Sequence, residues 1–261
     1  MIEIRRQKPP PGTVIDWTHP LARGLYVHIP YSDGAGRPAV LGGTCARATQ
    51  PGGAPTWSGG RRVMVSAYDV VTDPVIGLAN RPFSLVVRFV PYSVSAGGQC
   101  GVCHVASHPL DATPGYVLYI KRTANRVSHV PNNVAYVTGT LPISEGVEVS
   151  IGASYRVASG SQWAFFQDGN LDGLYSTTNG GGNRASLYVG TGYGGALNGA
   201  ISSISTWTRA LSPDEMRWVS AEPHAFMRVA PWRRVFDMGG GASFRPAWAS
   251  NANAVLGGRA A

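Results

Sequence analysis

The sequence predicts an all-β protein, a two-sheet antiparallel sandwich, and three observations carry that expectation. Between Val147 and Arg217 the runs VEVSIGASYRV, QWAFFQDGNLDGLYS, ASLYVGTG and LNGAISSISTW follow one another, each rich in β-branched and aromatic residues and bounded by Gly, Asn, Asp and Ser. That is how antiparallel strands and their turns look in sequence. Asp168-Gly169 sits between two of these runs, and Asp-Gly tolerates the positive φ angles of a type I′ hairpin turn. The 261 residues hold 34 Gly and 19 Pro with only 14% charged, which suits many short strands and tight turns better than helices.

Taken in order, residues 1–24 read as an arm: Pro9-Pro10-Pro11 favours extended polyproline geometry, and Asp16 to Gly24 is a turn-rich lead into the strand GLYVHIPY. From Ser32 to Gly60 the chain is Gly- and Pro-rich, with one or two short strands expected and Trp57 as its lone aromatic. RRVMVSAYDV reads as one strand by alternation, and FSLVVRFVPYSV places Phe83, Leu85, Val87 and Phe89 on one face. GQCGVCHVAS, GYVLYIKRTANRVSHV and NNVAYVTGTLPI complete a count of ten or more strands, enough for two packed sheets. One helix is expected, from Ser212 to Ala221: Ser212 is placed to cap it, Pro213 suits its first position and Glu215 completes a capping box. Met216 and Val219 would face the sandwich. Beyond Pro223 the periodicity ends, and residues 223–261 read as a second extended arm with a flexible break at Gly239-Gly240-Gly241. The expected domain spans residues 25–222.

The Trp-Ala-Phe-Phe-Gln-Asp-Gly hairpin, Leu187-Tyr188-Val189-Gly190, Leu197-Asn198-Gly199 and Thr208 to Glu215 resemble, in order and spacing, the C-terminal half of a laminin-G-like, concanavalin-A-like jelly roll. The resemblance covers roughly 70 residues and runs back more weakly to about Arg81. The opening Trp17-Thr-His-Pro-Leu-Ala-Arg-Gly-Leu25 resembles the N-termini of laminin-G-like proteins of tailed bacteriophages. This implies a virion protein made in the host cytoplasm, decorating the capsid or sitting on the tail. Such sandwiches serve lectins, glycosidases and structural proteins alike, so the fold does not choose the function.

Chemistry is sparse. No apolar run approaches 18 residues, and MIEIRRQKPPPG lacks the apolar core of a signal peptide, so the sequence predicts neither a membrane span nor Sec-type export. Of 22 basic residues 20 are Arg, scattered as doublets rather than runs, which fits protein interfaces better than nucleic acid. Cys100-x-x-Cys103-His104 has the spacing of a haem or zinc motif, but residues i and i+3 of a strand point to opposite faces; the expectation is buried free thiols and no cofactor. Asp168-x-Asn170-x-Asp172-Gly173 matches half a calcium loop, with Asn179 standing where a bidentate carboxylate belongs; turn chemistry is the favoured account. The five Glu include no pair with glycosidase spacing, so no enzyme is expected.

Two binding roles remain. Glycan-binding sites in sandwiches combine Asn, Asp and Gly backbone with a stacking aromatic, and Asn179, Asn183, Tyr193 and Trp57 offer those parts. The C-terminal arm carries Phe226, Trp232, Arg233, Arg234, Phe236, Phe244 and Trp248, the residue types of interface hot spots. The sequence therefore predicts a non-enzymatic structural protein of a tailed-phage virion, a homo-oligomer joined to other virion proteins through its arms. The alternative is a glycan-binding attachment module of the virion, and a carbohydrate-active enzyme comes third.

Overall fold

The computed structural model describes residues 13–31, 44–49, 56–58, 61–63, 67–72, 81–93, 99–106, 115–121, 124–131, 137–157, 162–176, 186–192 and 195–229, with backbone alone between 44 and 72. The strands of its first half are β1 (Thr13–Ile15), β2 (Leu25–Ile29), β3 (Thr44–Thr49), β4 (Thr56–Ser58), β5 (Arg61–Val63), β6 (Ala67–Thr72), β7 (Phe83–Pro91), β8 (Gln99–Ala106) and β9 (Tyr116–Lys121). Then come β10 (Arg126–Pro131), β11 (Val137–Pro142), β12 (Val149–Arg156), β13 (Gln162–Gln167), β14 (Asn170–Ser176), β15 (Ser186–Val189), β16 (Thr191–Gly192), β17 (Gly195–Ala196), β18 (Gly199–Trp207) and β19 (Met227–Val229). A 3-10 turn (Pro20–Ala22) and one helix, α1 (Pro213–Ala221), complete the described elements. Among the described residues no helix is long and apolar enough to cross a membrane.

Two antiparallel sheets make a jelly-roll sandwich. One runs β11-β10-β9-β8-β15-β6-β3; the other runs β14-β13-β12-β7-β18-β5-β4, with β2 also paired to β18. RRVMVSAYDV, expected as one strand, divides between them, β5 in the second sheet and β6 in the first. The hairpin turn is as expected, with Asp168 at φ +51° and Gly169 at +78°. Phe83, Leu85, Val87 and Phe89 point together into the core, where they meet Val149, Ile151, Ala153 and Tyr155 of β12 and Leu118, Ile120, Leu187 and Val189 from the facing sheet. Period-2 alternation thus delivers both inner faces.

The outer face of the β7/β12/β18 sheet carries a second cluster: Leu21, Ala22, Leu25, Val86, Phe166, Trp207, Leu211, Met216, Val219 and Phe226. The strand residues beneath α1 are small. Ser84 Oγ accepts from Leu211 N, Ser150 Oγ donates to Ser220 Oγ, Ser154 Oγ donates to Leu211 O, and Gly152 lets the Met216 sulfur approach. α1 has the anticipated Ser212/Glu215 capping box.

Residues 13–24 and 223–229, read from the sequence as parts of the arms, make contacts with the rest of the fold. β1 pairs antiparallel with β19, Thr13 opposite Val229 and Ile15 opposite Met227, and the 3-10 turn buries Leu21 and Ala22. Phe226, expected as an assembly anchor, is instead fully buried in the fold's own outer cluster, edge-on to Trp207. A large aromatic that completes a packed cluster is no longer free for a partner.

Cys100 and Cys103 do not point to opposite faces as alternation predicts. β8 shifts register between Gly101 and Cys103, and such a bulge adds a residue that resets the alternation. Cys100, Val102, Cys103 and Val105 all join the core. Both thiols are free and buried; Cys100 Sγ donates to Ala196 O and accepts from Asn198 N, and burial pushes the Cys103 thiol up. Reactivity follows thiolate and access. A thiol reagent is therefore expected to spare Cys100 and Cys103 in the native protein and modify both in denaturant, read by mass spectrometry; labelling of the native core would contradict this packing.

Candidate functional site

Asn179, Asn183 and Tyr193 lie outside the described residues, as do Trp232, Arg233, Arg234, Phe236, Phe244 and Trp248; Trp57 lies within β4, its side chain undescribed. The calcium candidates do not converge. Asp168 turns back on the sheet, its Oδ1 accepting from Ser150 N, and Asn170 is exposed. Asp172 is buried at the opposite end of the motif, its Oδ1 accepting from Thr140 N, Thr140 Oγ1 and Leu141 N. Those donors belong to β11, an edge strand of the other sheet, so Asp172 closes a seam between two exposed edges, a use of polar side chains that keeps edges from pairing elsewhere. Gln167 Nε2 donates to Pro142 O in the same seam. Among the described residues no group of three or more His, Cys, Asp or Glu is placed to hold a metal ion.

The surface that does gather aromatic and polar groups is made by the N-terminal lead and α1. Trp17 is 62% exposed and Trp218 36% exposed. The His19 ring lies 4.7 Å from that of Trp218, tilted by 59°. The lead holds its shape through Asp16, whose Oδ1 accepts from Thr18 N at 3.1 Å and Thr18 Oγ1 at 2.6 Å, a local turn that short polar side chains make readily. His19 Nδ1 accepts from Leu21 N and so caps the 3-10 turn. Asp16 N donates to Phe226 O at 2.8 Å, and Arg228 Nη1 stands 3.8 Å from Asp16 Oδ1. The Thr18 hydroxyl first, then its backbone N–H, holds the Asp16 carboxyl below the usual range.

Trp218 is positioned from the other side. Arg209 donates through Nε to Arg23 O at 2.6 Å, through Nη2 to Pro20 O, and through both terminal nitrogens to Glu215 at 2.8 and 2.7 Å. One guanidinium thus clamps the lead to the helix, with the bidentate geometry that Arg allows. Burial alone would raise the Glu215 carboxyl, but hydrogen bonds from Arg209 and Ser212 outweigh it and leave it lowered. Trp218 Nε1 donates to Glu222 Oε2 at 3.3 Å, steadying the indole while leaving part of its face open.

The result is an imidazole set against the half-open Trp218 indole, with Glu222 at the indole N–H, while the lead exposes Trp17 next to Asp16 and Thr18 in sequence. Ring faces bind apolar C–H surfaces, and such polar groups accept and donate hydrogen bonds. Sequence reasoning passed over both tryptophans. Trp17 was read as part of a turn-rich lead and of the opening motif, not as a binding residue, but Trp218 left a legible signal: Met216 and Val219 define the buried side of α1, and Trp218 falls off it, a large aromatic on a polar face.

Comparisons add the fold. No protein family and no curated protein matches the chain. Solved structures do. Domain 4 of an extracellular GH43 arabinanase from Geobacillus stearothermophilus, in complex with arabinotriose, is 14% identical with a TM-score of 0.56, covering 75% of this chain and 98% of that one. The receptor binding domain of botulinum neurotoxin D is 8% identical with a TM-score of 0.59, covering 78% of this chain and 54% of that one. Trypanosoma rangeli sialidase in complex with sialic acid is 13% identical with a TM-score of 0.55, covering 78% of this chain and 33% of that one. The chain spans about half of the toxin domain and a third of the sialidase. At these identities the likeness is one of fold, a jelly-roll β-sandwich.

Proposed function

We propose that this chain is a non-enzymatic glycan-binding module, with Trp17, His19 and Trp218 as the stacking surface and Asp16, Glu222 and Arg228 as its polar rim. The observation that carries the proposal is the half-open Trp218 indole held by His19 and Glu222, with a second exposed indole, Trp17, two residues before His19: exposed indole faces are what sugar C–H surfaces stack on. The arabinanase domain and the toxin receptor-binding domain lend support, since sugar- or receptor-binding domains share this architecture. Three carboxylates of the sandwich are committed to structural contacts, which weighs against hydrolysis. Glu148 pairs with Arg88 and accepts from Ser202 Oγ, Glu215 is held by Arg209 and the helix cap, and Asp172 is spent in the seam. The phage-like opening Trp17 to Leu25 supports a setting on a tailed-phage virion, where the module would attach to host surface glycans. Anchoring to the particle falls in this proposal to residues 230–261, through Trp232, Arg233, Arg234, Phe236, Phe244 and Trp248.

Trp17→Ala and Trp218→Ala are each expected to weaken binding to a bacterial surface polysaccharide about 10-fold or more, the loss of one stacked aromatic hot spot. Titration calorimetry against a panel of such polysaccharides and arabinotriose makes the measurement, with melting temperature confirming the fold. Wild-type binding that survives both substitutions undiminished would move the site elsewhere.

A further inference from the structure

His28 and His224 meet beneath the segment that supports the aromatic surface. His28 projects from β2 onto the outer face of the sheet, where its Nδ1 lies 2.8 Å from Ser205 Oγ and its Nε2 lies 3.4 Å from His224 Nδ1. Phe226 closes over it, ring to ring at 4.8 Å and nearly perpendicular. The imidazoles are both buried, and neither nitrogen of His28 faces a carboxylate. At neutral pH the arrangement is satisfied: one neutral ring can donate where the other accepts. A proton on His28 makes it a buried cation whose ring nitrogens face a hydroxyl and a second imidazole rather than a carboxylate, a charge that burial disfavours.

The turn holding His224 is mechanically tied to the binding surface. Met227 N donates to His224 O, Phe226 O accepts from Asp16 N, and β19 pairs with β1 immediately before Trp17. We infer that the His28–His224 contact is an acid-opened latch: protonation frees residues 223–229, β1 loses its partner, and the Trp17–His19–Trp218 surface comes apart. This regulation rests on the glycan-binding reading of that surface.

The sign of the effect follows from linkage. Burial first, then the nearby His224, keeps His28 well below the usual histidine range in the closed form, while an exposed His takes its proton near pH 6.5. The open form therefore binds more protons as pH falls through about 6.5, and the open fraction rises about tenfold per pH unit below it for His28 alone. Of the other charged or titrating groups on these elements, Asp16 and Glu215 are held below their ordinary carboxylate ranges and stay charged through this window, Arg228 stands by Asp16, Glu222 accepts from Trp218, and the His19 ring lies against Trp218.

Hydrogen exchange of the full chain, followed by mass spectrometry from pH 7.5 to 4.5 and corrected for intrinsic exchange, tests this. Residues 13–19 and 223–229 are expected to open on the order of 100-fold more at pH 4.5 than at pH 6.5, while residues 83–91 and 149–156 stay protected. His28→Gln should cut that rise to below about tenfold. If it fails to fold, His224→Gln, at the less buried member, serves in its place. Opening that does not change with pH, that spreads equally to the central strands, or that persists in full in the latch variants overturns the inference. Polysaccharide binding over the same range separates the two ideas. A latch that opens while no sugar binds at any pH upholds the latch and sinks the glycan reading; binding of equal strength at pH 7.5 and 4.5 sinks the latch's control of the site.

Discussion

A chain ended after Glu222 is expected to be far less stable than one ended after Val229, although the sequence reading would stop the domain at that point. Residues 223–229 supply Phe226 to the outer cluster, Ala225 and Met227 to its margin, and the only described partner strand of β1. Losing a buried Phe alone costs about 3–5 kcal/mol, against a typical total of about 5–15 kcal/mol. Removal of the whole segment also bares Trp207, Leu21 and Leu25. Urea denaturation should show the Val229 version unfolding as the full chain does, the Phe226→Ala version destabilised by about 3–5 kcal/mol, and the Glu222 version at or past the limit of folding. Equal midpoints for all three would mean that the outer cluster contributes nothing.

The second large effect lies at the seam between sheets. A Cβ on Gly139 would stand 1.9 Å from Asp172 Oδ2, so Gly139→Ala must expel the carboxylate that satisfies Thr140 and Leu141. Hydrogen bonds to a charged acceptor contribute about 1.5–3 kcal/mol each, and donors left without a partner cost more. Gly139→Ala and Asp172→Ala are each expected to destabilise by about 2–4 kcal/mol. The discriminating measurement is the double variant: once Asp172 is gone the new methyl meets no carboxylate, so the pair should cost scarcely more than Asp172→Ala, a coupling of about 1–3 kcal/mol. Additive losses would show that the two residues act apart.

What could be read from sequence was what local chemistry dictates. The inner face of β7, the Asp168-Gly169 turn and the capped helix with Met216 and Val219 inward all follow from period, turn geometry and capping within a few residues. What escaped depended on partners far along the chain. Nothing near Thr13 announces β19, and nothing in PHAFM distinguishes a tail from a strand that returns to cover Trp207. The Cys100/Cys103 inference failed on a single bulged residue, because alternation carries no warning of its own interruption. The same limit hid the contact of His19 with Trp218, which Arg209 supports by tying residues 20–23 to α1.

The partnership of the lead with the last described strands also sets a clock. His28 and Ser205 are 177 residues apart, Leu21 and Trp207 are 186 apart, and His28 and His224 are 196 apart. A ribosome adding about 5–20 residues per second needs roughly 10–40 s to cover such a gap. Through that interval Leu21, Leu25 and Val86 leave the tunnel with nothing to bury them, and β2 waits for β18 as an unpaired edge. Long-range pairings of this kind place folding in the slow, millisecond-to-second regime even after release. Newly made chains are thus exposed to misassociation chiefly through the face that the lead and the 223–229 segment later seal, so yield in the cell should follow synthesis rate and chaperone supply more closely than the stability of the finished protein.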